Sequence, residues 1–287
     1  MKQYIYPENQ LPTFQNSKLL SLVGANKKVL EIGCAMGYQT RSMREIQHCQ
    51  VTGIEIDADA AEYARPYCDD LLIGNIETMN IDLLGNNLFD VITFADVLEH
   101  LYNPTKVLQR LRPLISEGGY VVASIPNIAH CSVIYEMAHG RFEYRNLGLL
   151  DDTHIRFFTR QTIYHTFEEA GYLIVALYRL TAKESETEFN TRPETENDRQ
   201  FIDYIKQRNS DAETYQFVIK AIPLNDTKGI QSELVETLDN LQTLREKMKL
   251  NAKFNEEKIK HLESNIAWMT SRISYRFISS FKRLFKK

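Results

Sequence analysis

Apolar positions along the first 180 residues follow two alternating rhythms. Short runs rich in β-branched residues, KVLEIG at 28–33, VTGIEI at 51–56, LLI at 71–73, FDVITFA at 89–95 and GYVVASI at 119–125, read as strands. Between them lie stretches with helical spacing. The clearest is 104–114, where Pro104 suits a first helical turn. Strand and helix in repeated alternation predict an α/β fold built on a doubly wound, mostly parallel sheet. Two later runs, LIVALYRL at 173–180 and YQFVIKAI at 215–222, bring the strands to seven. A polar, acid-rich insert over about 183–212 separates them and shows no crossover pattern, so they are expected to form an antiparallel edge.

Past Pro223 the pattern changes. There is no further proline, a single glycine (Gly229), and apolar residues recur from Leu234 to Ile273 at spacings of three and four. Arg245 and Asn255 break the register, which predicts a short coiled coil over 226–270 or a single helix packed back on the domain. A coiled coil there would serve a homodimer or another protein partner. Over 271–287 a helix would gather Ile273, Phe277, Phe281, Leu284 and Phe285 on one face, with Arg272, Arg276, Lys282, Arg283 and Lys286 on others. Such a helix suits an anionic membrane surface, with docking to a partner protein as the alternative. The expected division is therefore an α/β domain over 1–225, a helical or coiled-coil segment over 226–270, and a basic amphipathic helix over 271–287.

Charge separates tail from body. The chain carries −4 overall, but Arg272–Lys287 holds six basic residues and no acid, which leaves −10 on the rest. An acidic body argues against nucleic acid as the main partner, because phosphate binding needs basic surface at the working site. Cys34, Cys49, Cys68 and Cys131 show neither a disulfide framework nor metal-ligand spacing, so a reducing, cytoplasmic setting is expected. No apolar run approaches the roughly 20 residues that span a bilayer. The N-terminus lacks the apolar stretch of a secretion signal.

The chemistry concentrates in VLEIGCAMGYQT at 29–40, where a strand runs through a glycine-containing turn into a helix. Gly33 and Gly37 let the backbone approach a ligand at the carboxyl edge of the sheet. Glu31 would repel a dinucleotide's pyrophosphate, and the full G-x-G-x-x-G pattern is missing because Ala35 holds its middle place. A ligand carrying an ammonium and a sulfonium would instead be favoured by that acid. Glu55 ends the second strand 18 residues after Gly37, where a carboxylate can accept ribose hydroxyls. Ala35 costs little there provided its φ is negative.

Over roughly 28–180 the chain resembles the class I S-adenosylmethionine-dependent methyltransferases. The likeness rests on VLEIGCAMG, VTGIEID, GNIE, FDVITFADVLEHLYNP, LRPLISEGGYVVASIPN and FEEAGY in that order. It implies a Rossmann-like fold with S-adenosylmethionine as cofactor. Glu31 and Gly33 would then lie near the methionine part, Glu55 on the ribose, and Asn75 with Ile76 around the adenine. Cys34, Ala35, Gly37, Ile56, Ala95 and Asp96 complete the implied cofactor contacts. Asn75 replaces the commoner aspartate and would meet adenine's amine through its amide oxygen. Residues 124–163 resemble bacterial methyltransferases of surface polysaccharide and glycolipid biosynthesis, which implies a sugar or glycolipid hydroxyl as acceptor and a glycosyltransferase as a partner for the coiled coil.

Methyl transfer to a hydroxyl needs attack geometry and a base for the proton. His154 in DDTHIRFF is the preferred base, with Asp152 as its orienting partner; His130 is the second candidate, and Asp96 could face the donor. Each histidine could instead be structural. His100 is expected to pack inside, and no His/Asp/Glu spacing argues for metal. Two other readings stay open: a small-molecule, quinone-type O-methyltransferase, and a non-catalytic cofactor-binding assembly platform.

Overall fold

The computed structural model describes residues 14–85 and 87–224. The expectations for 226–270 and 271–287 lie outside the described residues. Seven strands form one sheet: β1 (Lys28–Ile32), β2 (Gln50–Glu55), β3 (Asp70–Ile73), β4 (Phe89–Ala95), β5 (Ile115–Pro126), β6 (Tyr172–Thr181) and β7 (Thr214–Pro223). Their order is β3-β2-β1-β4-β5-β7-β6. All pairings are parallel except β5 with β7 and β7 with β6. The antiparallel edge is as expected, with β7 inserted between β5 and β6.

Alternation along the strands explains why both faces are covered. Val29, Val51, Val91, Val122 and Val218 turn to one face, where they pack with Leu19, Val23 and Met43 from helices α1 (Phe14–Val23) and α2 (Tyr38–Glu45). Leu30, Ile54, Ile92, Phe94, Val121 and Ile219 turn to the other. There Val107, Leu108 and Leu111 of α4 (Pro104–Leu111) and Ile163 and Phe167 of α6 (Arg160–Glu169) cover them. Short α3 (Ala58–Ala64) bridges β2 and β3, capped by Asp57, whose Oδ1 accepts from Asp59 N and Ala60 N. Parallel strands buried on both faces read as continuous apolar runs, which is why they stood out in the chain.

The polar insert and the stretch after β5 hold helices that the apolar pattern did not show. The acid-rich insert contains α7 (Glu196–Arg208), opened by a Thr195–Asp198 capping box. After β5 comes α5 (Cys131–Ala138). Small clusters join them: Cys131 packs with Ile205 and Ala212, and Val133 with Leu149 and Leu150. This added layer stands at the carboxyl end of β5. Among the described residues no helix is long and apolar enough to cross a membrane.

Candidate functional site

The carboxyl ends of β1, β2 and β4 converge, and each carries an acid. Between β1 and α2 the turn bends back on β2, with Gly33 N and Cys34 N both donating to Ile54 O at 2.8 and 3.3 Å. Gly33 and Gly37 adopt φ of 70° and 81°. Neither is glycine only for a ligand's sake. A Cβ on Gly33 would stand 2.7 Å from Val97 Cγ2, and one on Gly37 2.8 Å from Ala64 Cα. Ala35 also lies in the left-handed region, at φ 46°, and so corrects the expectation of a negative value. That conformation costs a residue with a Cβ about 1 kcal/mol.

What holds Ala35 there is Glu55. Its Oε2 accepts from Ala35 N at 2.7 Å, while Oε1 accepts from Ile56 N and Asp57 N, both at 2.9 Å. A carboxylate has about four acceptor positions. Three are thus occupied by backbone, and the room left for ribose lies on Oε2. Glu55 shapes the turn and keeps one acceptor position open on Oε2. Beside it Ile56 is exposed, an apolar surface that a purine can cover.

Glu31 is sealed in at the end of β1 and receives a 2.6 Å hydrogen bond from Thr40 Oγ1. Burial raises its carboxyl to about 8, against the smaller opposing pull of the Thr40 bond; Cys68 and Glu55 add to the rise. A buried acid of this kind meets a cation well. Asn75 turns its Oδ1 to Glu77 N at 2.8 Å, so its amide oxygen is already engaged, and Ile76 is buried in the core. Adenine's amine would therefore share that oxygen with the backbone.

At the end of β4, Ala95 pairs in register with Ser124 and is half-buried. Asp96 follows with φ 54°, another non-glycine residue held in the left-handed region. Its Oδ1 accepts from Ser124 Oγ at 3.1 Å and closely from Gln216 Nε2 of β7. Asp96 keeps surface exposed to solvent, with protein on its other sides. That enclosure raises its carboxyl, while the two bonds pull the other way. Ser124 and Gln216 escaped the sequence reading, because β7 reaches Asp96 only through the antiparallel insertion.

One turn further, Glu99, His100 and His154 meet. The segment carrying His154 is bound alongside, since Ile155 N and Arg156 N both donate to Glu99 O at 3.0 Å. His154 Nδ1 faces Leu149 O at 3.3 Å and Nε2 lies 3.9 Å from Glu99 Oε1, with the His100 ring at 4.8 Å. The carboxylate beside His154 is thus Glu99; Asp152 is exposed and corrects the expected orienting pair. Burial lowers the His154 imidazole, with His100 adding to the effect, so it is neutral near pH 7. Burial likewise raises Glu99 well above the usual range, and neither of its carboxylate oxygens has a hydrogen-bond partner in the protein. The ligand atoms of Glu99, His100 and His154 lie within 4.8 Å of one another. These three could hold a cation, a grouping their spacing in the chain did not suggest.

His130 is elsewhere. It is fully buried, caps α5 with Nδ1 accepting from Ser132 N, and turns Nε2 to Ala182 O at 3.0 Å. With both ring nitrogens engaged internally it is a structural histidine, which corrects its listing among candidate bases.

A family profile described as a methyltransferase domain matches residues 10–177. The ubiquinone biosynthesis O-methyltransferase of Acinetobacter baylyi is 26% identical over 152 residues, 51% of this chain and 63% of that protein. The enzyme of the same name from Glaesserella parasuis is 36% identical over 121 residues, covering 39% and 50%. The chain therefore spans less than two thirds of the length of these relatives. A solved SAM-dependent methyltransferase from Archaeoglobus fulgidus superposes with a TM-score of 0.50 at 16% identity, covering 72% of this chain and 93% of that one, a likeness of fold. The cofactor of this fold and family is S-adenosylmethionine, and the residues fit it: Glu31 for the ammonium, Glu55 for the ribose and the exposed face of Ile56 for the purine. With the profile matching more than half of its length on such a site, the chain belongs to the methyltransferase domain family.

Proposed function

We propose that the chain is an S-adenosylmethionine-dependent O-methyltransferase that acts on a small molecule. What carries the reading is His154, a neutral imidazole on the segment that runs beside the end of β4, next to Glu99 and one turn beyond Asp96. The bound donor supplies a methyl group already activated on a sulfonium. Glu31 would hold its ammonium, Glu55 its ribose, and the turn at 33–37 its position. With Nδ1–H directed at Leu149 O, Nε2 is the nitrogen left to take a hydroxyl proton. The same segment carries exposed Ile155 and Phe157; the Phe142 ring lies 6.4 Å from that of Phe157 and 5.5 Å from that of Tyr144. This apolar rim suits an aromatic or otherwise apolar acceptor.

The two relatives named above are O-methyltransferases of ubiquinone biosynthesis. They favour the small-molecule reading over the surface-glycan reading drawn from residues 124–163. One observation still speaks for a hydroxyl-rich acceptor, a polar cavity of about 290 Å³ between α5 and the start of α7, lined by Tyr135, His139, Arg141, Asn190, Arg192 and Asp198. The test is label transfer from methyl-labelled S-adenosylmethionine by the full chain, offered ortho-dihydroxy aromatics and, separately, free hexoses and uronic acids. Label in the aromatic set, abolished in His154→Ala, is the expected outcome. Label in the sugars alone would replace this proposal with the second reading.

A further inference from the structure

Cys34 and Cys68 lie 34 residues apart in the chain, and their sulfurs meet over Gly53. A Cβ on Gly53 would stand 3.0 Å from Cys34 Sγ and 3.0 Å from Cys68 Sγ, so the two sulfurs can be no farther apart than those distances together. Gly53 leaves the space in which they approach each other. The backbones that carry them are also adjacent, since a Cβ on Gly37, three residues after Cys34, would strike Ala64 Cα of α3 at 2.8 Å. Facing each other, the thiols shift in opposite directions: the Cys34 side chain pushes the Cys68 thiol down, while Cys68 and burial push the Cys34 thiol up. Cys34 is enclosed, whereas Cys68 is partly open to solvent. This is the arrangement of an accessible, acidified thiol beside a resolving one.

We infer that Cys34 and Cys68 are an oxidative modification site, at which a peroxide joins them in a disulfide that weakens cofactor binding. In the first step the Cys68 thiolate attacks hydrogen peroxide. The O–O bond breaks, Cys68 becomes a sulfenic acid and hydroxide leaves. Cys34 sulfur then attacks Cys68 sulfur; the S–O bond breaks, and the Cys34 proton leaves with that oxygen as water. Both sulfurs are oxidised by one electron each and one peroxide is reduced. Closure to a bond of about 2.05 Å draws Cys34 toward α3. Cys34 sits between Gly33 and Ala35, whose N–H is held by Glu55, so the pull acts directly on the turn that receives the cofactor. The inference rests on the reading of that turn as the S-adenosylmethionine site.

The full chain, reduced and freed of reductant, is first titrated with S-adenosylmethionine by calorimetry, which tests the cofactor reading by itself. The same protein is then treated with hydrogen peroxide and digested without reduction. A Cys34–Cys68 crosslinked peptide about 2 Da lighter than the two thiol peptides together is expected. Cofactor Kd should rise on the order of tenfold, and dithiothreitol should restore it, which separates the disulfide from irreversible oxidation and from Met36 sulfoxide. Cys68→Ser should bind the cofactor and keep its Kd after peroxide. Absence of the crosslinked peptide, an unchanged Kd in the crosslinked protein, or no recovery with dithiothreitol would overturn the inference.

Discussion

If Glu31 receives the cofactor's ammonium, as proposed, the cofactor's arrival is expected to be a proton-coupled event. Sealed at the end of β1 with a single side-chain donor, its carboxyl titrates at about 8. At pH 7 it is therefore about nine-tenths protonated. An ammonium bound beside it holds it ionised, so binding should release about 0.9 proton from Glu31. An α-amino group of ordinary pKa takes up about 0.1 in the same event, for a net release of about 0.8. Affinity should then rise about tenfold from pH 6 to pH 7, because the ionised fraction of Glu31 rises by that factor. Calorimetry at pH 7 in buffers of different ionisation enthalpy reads the number directly as the slope of observed against buffer enthalpy. In Glu31→Gln the release should vanish. A native slope of zero, or an unchanged slope in the variant, would refute the assignment of Glu31 to the ammonium.

The same carboxyl leaves a mark on folding. Its folded pKa is raised, so the stability it contributes is complete below its ordinary 4.5 and is lost as pH climbs through about 8. That gap is worth at most about 5 kcal/mol. Without cofactor, the chain should gain stability from Glu31→Gln at pH 8 and little at pH 4, as read by denaturant midpoints.

Three further outcomes follow from single residues. Ala35→Gly should raise stability by about 0.5–1 kcal/mol in chemical denaturation, because glycine takes φ 46° without strain although it loosens the unfolded chain. Glu55→Ala should weaken S-adenosylmethionine binding at least tenfold, since three backbone N–H groups that shape the turn lose their acceptor together with the ribose; unchanged affinity would sink that role. His154→Ala should lower turnover about 10²-fold or more and leave cofactor Kd intact; the acid limb of the native pH profile should lie below the ordinary imidazole range, because burial holds His154 neutral.

What could be read in the chain and what could not divide along a physical line. The seven strands were legible because both faces of the sheet are buried and the apolar runs are continuous; β5 begins four residues earlier than expected, at Ile115 in place of 119, while the other starts agree within one residue. Helix α7 was not, because its buried residues are few, Ile202 and Ile205 among polar neighbours, and its cap at Thr195 lies in an acid-rich stretch. Strand ends carry site residues, so Glu31, Glu55 and Asp96 could be picked out by position. Their surroundings could not. Thr40 on Glu31 is nine residues away, Gln216 on Asp96 is 120, and the His154–Glu99 approach spans a layer whose packing no local pattern encodes.

That division bears on how the site works. Three acids at neighbouring strand ends would be a poor arrangement if all were ionised and unpartnered, and each is managed differently. Glu55 is spent on backbone N–H groups, Asp96 is gripped by Ser124 and Gln216, and burial raises the Glu31 carboxyl so that it keeps its proton up to about 8. The identity of the acid says only that a cation is welcome. The neighbours decide which acid anchors the turn, which is gripped at the strand end and which keeps its proton. Changing Thr40 or Gln216 should therefore shift pH dependence without removing any carboxylate. Thr40→Val in particular should raise the Glu31 carboxyl further and move the rise in cofactor affinity to higher pH, whereas an unmoved profile would mean that burial alone sets it.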